Sequence, residues 1–245
     1  MSHIPCTGDQ DADAFIHTIR RRLIAIADEP PYRYINTTPE DRAEYEAKKR
    51  SFTGYALEEI LAVESRLDIR FPAVYRAFLH IMGISNGDLF CGSNVASLEN
   101  YDQLQEFAQD LIHECHVNWQ LDKKAFVFLG HQGYTFNYFI ADGRFDSPVH
   151  QYVENDQSGT QCSPGFAEFI DAEVSLAEQN NQNIRDAGGY FLTIADGCVS
   201  QEHPTRNSGI RPLDLPDQTS EASKNEKHIR SLKPWWRFGK PVVKE

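Results

Sequence analysis

Two apolar stripes that meet at a proline constrain this chain more than any other feature. Leu57, Ile60, Leu61 and Leu67 share one helical face, and Phe71, Tyr75, Phe78, Leu79 and Met82 follow at i, i+4, i+7, i+8 and i+11. Pro72 stands between them. It suits the first turn of a second helix and would break the interior of a single long one. The chain must therefore turn a tight corner here, with apolar anchors on both sides. Glu64 falls on the apolar face of the first helix. A buried carboxylate is costly unless it is hydrogen-bonded, and the free amides of the second helix lie close in sequence. Glu64 is expected to accept hydrogen bonds from backbone N–H groups near Ala73 to Tyr75, the alternative being a side chain that reaches solvent. Gly83 can end the second helix, and Asn86-Gly87 makes a turn.

The flanking segments read as follows. A helix over 11–28 has Asp11 and Asp13 at its start and Phe15, Ile19, Leu23 and Ile26 on one face. Its basic run Arg20, Arg21, Arg22 reads as a solvated face. Pro30-Pro31 stops it. Thr38 and Pro39 then announce a polar surface helix to about Arg50. Asn100 with Gln103 reads as a capping box for a helix from 101 to about 117, packed through Leu104, Phe107, Ala108, Leu111 and Cys115. The period then changes from 3.6 to 2. Residues 125–130 form a strand apolar on both faces. Residues 134–140 form one with Tyr134, Phe136, Tyr138 and Ile140 on one side, and 149–154 a third, in an antiparallel meander. Ser163-Pro164 is expected to cap a last helix that buries Phe166, Phe169 and Ile170. Past Glu178 the pattern weakens. Residues 188–194 and 198–199 flank Asp196-Gly197, a hairpin signal. Residues 200–231 are polar and rich in Pro, Ser and Asn, and they precede a cationic aromatic patch around Trp235-Trp236. Docking of those indoles on the domain's own surface is preferred to base stacking or membrane contact.

Expected domains are thus an N-terminal helical extension (1–50), a central domain (51–180), a β-hairpin extension (181–202) and a polar tail (203–245). Apolar residues make up 40 % of the chain, enough for a core. No apolar run approaches the roughly 18 residues of a membrane span, and the N-terminus lacks the basic and apolar regions of a secretory signal. Five cysteines, odd in number and never paired as C-x-x-C, fit reduced thiols in the cytoplasm. The net charge of −12 is unevenly spread: residues 51–180 hold 6 Lys and Arg against 19 Asp and Glu, a net of −13. Such a domain repels nucleic acid and speeds encounter with basic partners.

Chemistry-bearing motifs are missing. His113-Glu114-Cys115-His116 places its histidines three apart, where the zincin pattern needs four. Gly130 to Gly133 is a turn between strands, with no helix behind it to bind a phosphate. Cys162 at a helix start has no neighbouring base. No cofactor, metal, nucleic acid, membrane or small-molecule substrate is expected, and no catalytic residue.

The order of the motifs resembles one superfamily. Glu64-x-x-Leu67, Phe71-Pro72-x-x-Tyr75-x-x-Phe78-Leu79 and Asn86-Gly87 come first. The run from Phe126 to Tyr134, Pro148-Val149 and Phe166-x-x-Phe169 follow. Over about 52–178 this is similar to the SUKH superfamily, the Smi/Knr-like fold. Two departures, Phe71 for the usual Leu and Asp68 where Gly is common, keep the physics of an apolar anchor and a helix stop. The resemblance implies an α+β fold, a curved and mainly antiparallel sheet with helices packed around it. Pro72, Tyr75 and Phe78 are then structural, as is Glu64. It also implies a binding module without catalytic residues: in bacteria an immunity protein that neutralises a polymorphic toxin, in fungi a regulatory scaffold. The acidic domain favours a basic, nuclease-like or deaminase-like toxin. Asp142, Asp146, Glu154 and Asp156 are the expected acidic contacts, with Tyr134 and Tyr152 as aromatic anchors.

Overall fold

The computed structural model describes residues 9–195 and 198–202. In chain order these form α1 (Gln10–Asp28), β1 (Tyr32–Tyr34), α2 (Pro39–Lys49), β2 (Phe52–Thr53), α3 (Leu57–Leu67), α4 (Ala73–Met82), β3 (Ser85–Asn86) and β4 (Ser93–Val95). There follow α5 (Tyr101–Glu114), β5 (Ala125–His131), β6 (Thr135–Ile140), β7 (Val149–Val153), β8 (Thr160–Ser163), α6 (Phe166–Asp186), β9 (Tyr190–Ala195) and β10 (Cys198–Glu202). The fold is α+β. Its main sheet runs β4-β5-β6-β7-β8, every pair antiparallel. A second sheet pairs β1 parallel to β9 and β9 antiparallel to β10; β2 and β3 make a short ribbon. The Asp196-Gly197 turn, the tail 203–245 and its Trp235-Trp236 patch lie outside the described residues.

Both faces of the main sheet are covered, so β5 and β6 are buried almost throughout. A bulge between Val127 and Leu129 sets the two faces. On one face Gly130 lies under α5, where an added Cβ would sit 2.9 Å from Leu104, and Tyr152 stacks on Trp119 at 5.4 Å. On the other face Phe126 and Phe139 meet Tyr75 of α4, and Tyr75 meets Phe166 of α6 edge-on at 5.1 Å. Phe136 and Tyr138 share one face of β6 as expected, and the opposite face, with Thr135, Asn137 and Phe139, is buried as well. In the main sheet the strands not anticipated, β4 and β8, are short edge strands with little apolar content; β1, β2 and β3 were not anticipated either and are only two or three residues long.

The two-helix corner forms as expected, with changes in detail. Leu61 is left 40 % exposed, and the buried face of α3 is Ile60, Val63 and Glu64. Asp68 ends α3 in the left-handed conformation, φ 53°. The Glu64 carboxylate is buried but does not cap α4. It accepts from the Phe71 N–H at 2.6 Å and from Arg76 at 2.8 Å. Pro72 forces Phe71 to be extended, so the amide of Phe71 points back toward α3. The α4 amides go elsewhere: Ala73 donates to Arg144 O and Val74 to Phe145 O, both at 3.1 Å.

Two other caps differ from expectation. Ser97 and Asn100 bond each other reciprocally, the Ser97 N–H to Asn100 Oδ1 at 2.7 Å and the Asn100 N–H to Ser97 Oγ at 3.2 Å. The box therefore lies three residues earlier than Asn100 with Gln103. Ser163 turns its hydroxyl to Gly165 O, and α6 is capped from a distant loop. Thr38 does cap α2 as expected.

One hydrophobic core crosses the expected boundary at 50/51. Ala12, Ile16, Ile19 and Leu23 of α1 lie in the same cluster as Tyr75, Phe78 and Ile170. Nor is the basic run of α1 only a solvated face. Arg22 grips Glu178 with Nε and Nη2, at 2.8 and 2.7 Å, and reaches Ser175 and Asp171 on the same side of α6.

Candidate functional site

The loop 141–147 stands at one end of β6, and its polar groups work inward. Asp146 accepts from the Phe166 N–H at 2.8 Å and the Ala167 N–H at 3.0 Å, so this carboxylate is the real cap of α6. Burial pushes its carboxyl above the ordinary range, against the pull of the Ala167, Phe166 and Ser147 amides. Asp142 is exposed but clasped by the guanidinium of Arg144. Burial would raise its carboxyl, yet those Arg144 bonds hold it below the ordinary range.

Glu154 and Asp156 lie at the opposite end of β6, beyond β7. There the Glu154 N–H donates to Tyr134 O at 2.7 Å, and Tyr134 is 36 % exposed beside His131. The four acids expected to crowd one loop and strand end are thus split by the length of a six-residue strand, which spans roughly 17–20 Å. Tyr152 is wholly buried, stacked between Trp119 and Phe136, so it is not a surface anchor. Asp146, engaged as a cap, is not a free contact acid either. Tyr134, Glu154 and Asp156 remain as neighbours on one rim.

The same end of the sheet opens into a feature the sequence reading missed. A cleft of about 540 Å³ separates α6 and the end of α1 from the sheet. The sheet face that is aromatic under α4 becomes polar here, presenting His131, Thr135, Asn137 and Gln151. His131 Nδ1 is 2.8 Å from Ser93 Oγ. The helix wall presents Phe169, Glu173 and Leu176. Burial pushes the Glu173 carboxyl above the ordinary range, and His131 offsets this only in part. Among the described residues the Glu173 side chain makes no hydrogen bond or ion pair. The signal for Glu173 was present: it interrupts the stripe Phe166, Phe169, Ile170, Val174, Ala177, as Glu64 interrupts its own.

Acids also line the outer side of α5. Asp102, Glu106, Asp110 and Glu114 follow at four-residue spacing, all exposed. None is in an ion pair among the described residues.

Residues 54–172 match the model of the SMI1 / KNR4 family (SUKH-1). A curated relative, described as uncharacterized protein L488 of Acanthamoeba polyphaga mimivirus, is 27 % identical over 131 residues. These are 50 % of this chain and 22 % of the relative, so the chain spans about a fifth of that relative's length.

Proposed function

Since residues 54–172 form a SUKH-superfamily domain of the SMI1/KNR4 type, we propose that this protein is a non-catalytic binding module that neutralises a basic, nuclease-like or deaminase-like toxin domain. It acts in the cytoplasm by occlusion, covering the toxin's active site with an interface of roughly 1,200–2,000 Å². The observation that carries the reading is the unspent acid of the domain, a net of −13 over 51–180. Acids that are paired serve the fold, as at Glu64, Asp88, Asp142, Asp171 and Glu178. Among the described residues the α5 row makes no ion pair, nor do Glu154 and Asp156 on the rim, to which Tyr134 adds an aromatic group. Enzymes that act on nucleic acid carry positive clefts, to which such a surface is complementary and which it would reach quickly.

The test is a pull-down from the native host with the tagged full chain, washed at low and high salt. A basic toxin-domain protein that is retained at low salt and lost at high salt is expected. Glu154→Lys with Asp156→Lys should weaken its capture. Recovery of only signalling or wall-synthesis proteins would overturn the toxin reading in favour of a regulatory scaffold.

A further inference from the structure

We propose that the cleft between α6 and the main sheet seats one basic side chain, arginine or lysine, presented by the partner protein, with Glu173 as its counter-ion. This deepens the reading of a protein-binding module and rests on it for the partner alone.

Four observations carry the assignment. First, Glu173 faces a cleft of about 540 Å³, within the range of roughly 300–1,000 Å³ that ligand sites occupy, and its carboxylate has no internal partner among the described residues. Half-buried carboxylates are ordinarily paired or hydrogen-bonded.

Second, the cations that could have neutralised it are engaged. Lys49, on the far wall, bonds Asp88 at 2.7 Å and lies over the rings of Tyr32 and Tyr45 at 5.0 and 4.8 Å. Arg22 is spent on Glu178 and Asp171. His131 has its Nδ1 turned to Ser93.

Third, the surroundings of Glu173 fit a long side chain with a charged head. Phe169 lies one turn before it on α6. Leu176 lies three residues after it and is 53 % exposed at the lip. Together they offer an apolar wall for methylene groups. Fourth, the cleft floor is polar: Asn137 and Gln151 line it, and the Asn137 amide, whose Nδ2 donates to Cys162 Sγ at 3.6 Å, keeps its oxygen as an acceptor for the remaining donors of a cationic head. A neutral ligand would leave Glu173 unpaired, and an anion would be repelled by it.

The experiment uses ¹⁵N-labelled full chain and three short capped peptides, alike except for one central arginine, lysine or norleucine. The basic peptides should shift resonances of His131, Asn137 and Gln151, with the norleucine peptide silent. Glu173→Gln should weaken the basic peptides about tenfold, the worth of a charge-assisted contact. Glu58→Gln, exposed on α3 and not among the residues that line the cleft, should leave them unchanged. Equal binding by Glu173→Gln, equal binding of norleucine, or shifts confined to other surfaces would overturn the proposal. The arginine and lysine arms identify which head the cleft prefers.

A partner recovered by pull-down is then offered to Glu173→Gln. Undiminished capture would also overturn the cleft assignment, while leaving the binding-module reading intact. Peptides that titrate the cleft when the pull-down returns no toxin would support the cleft and remove the toxin reading.

Discussion

Three carboxylates on apolar helix faces or in tight loops do different work, and their neighbours decide which. Glu64 is a buried junction. Its side chain is 1 % exposed and joins the Phe71 amide to Arg76 across the α3–α4 corner. Glu64→Ala would leave the buried Phe71 N–H without an acceptor and the half-buried Arg76 guanidinium with the Phe71 carbonyl alone, at a cost of about 3 kcal/mol. Glu64→Gln, which keeps one acceptor, should cost less than half of that. Urea unfolding of the two variants, read as midpoint shifts at constant slope, checks the order. Asp146 acts as a cap, and Asp146→Ala should cost about 1–2 kcal/mol. Glu173 is the opposite case. Its folded carboxyl titrates above the unfolded one because of burial, so ionisation favours the unfolded chain. The native state is therefore most stable with Glu173 protonated and loses that advantage as pH rises through the raised value. Glu173→Gln should be more stable than the parent at neutral pH, by roughly 0.5 kcal/mol once solvent screening is allowed for. The difference should vanish below about pH 4, where both states of the parent are neutral. Thermal midpoints of both proteins from pH 4 to 8 test this. A parent that outlasts the variant at neutral pH would mean that Glu173 has an internal partner.

Helices whose apolar stripe and caps are local could be read from the chain, and elements held by distant groups could not. The corner from Leu57 to Met82 was legible because spacing, proline and stop residues agree within a few turns. So was the polar helix behind Thr38. The Asp146 cap was hidden because its amides lie twenty residues away, and no local pattern marks such a bond. The shared face of Phe136 and Tyr138 in β6 was legible, but the burial of the opposite face was not, because Phe139 is covered by Tyr75 of α4, far away in the chain. Within the candidate site, the nearness of Glu154 and Asp156 to one strand end was legible from the chain, because they directly follow β7. The cleft was not, since its walls come from α1, the end of α2, α6 and six strands. Arg22 shows the same limit. It looks like a surface cation in a basic run, yet its fork spans Asp171, Ser175 and Glu178 on α6. Bidentate arginine geometry is the strong kind of ion pair. Arg22→Ala should cost about 1 kcal/mol, and Arg22→Lys should recover less than half of it, because an ammonium cannot occupy the three positions at once. Amide exchange in the last turns of α1 should speed up more than exchange in β5.

The family match begins at residue 54, but the folding unit begins earlier. Ala12, Ile16, Ile19 and Leu23 are all at most 6 % exposed and pack in the one large core. Burying three large aliphatic side chains is worth roughly 1.5–3 kcal/mol each, and their removal would expose the α4 and α6 surfaces they cover. The sum approaches the total stability of roughly 5–15 kcal/mol that a domain of this kind possesses. The acid excess makes the deletion worse. Residues 1–50 include Arg20, Arg22, Lys49 and Arg50, and three of these pair with acids, of which Asp88, Asp171 and Glu178 belong to the remainder. A chain beginning at residue 51 would keep every residue of the family match and lose both the core contribution and these counter-ions. It should fail to unfold cooperatively, with loss of the near-ultraviolet signal of its packed aromatics while much helical signal persists. Added salt should recover part of the lost structure by screening the uncompensated acids. A chain from residue 51 that melts sharply, near the temperature of the full chain, would show that α1 is an accessory of the domain and not part of its core.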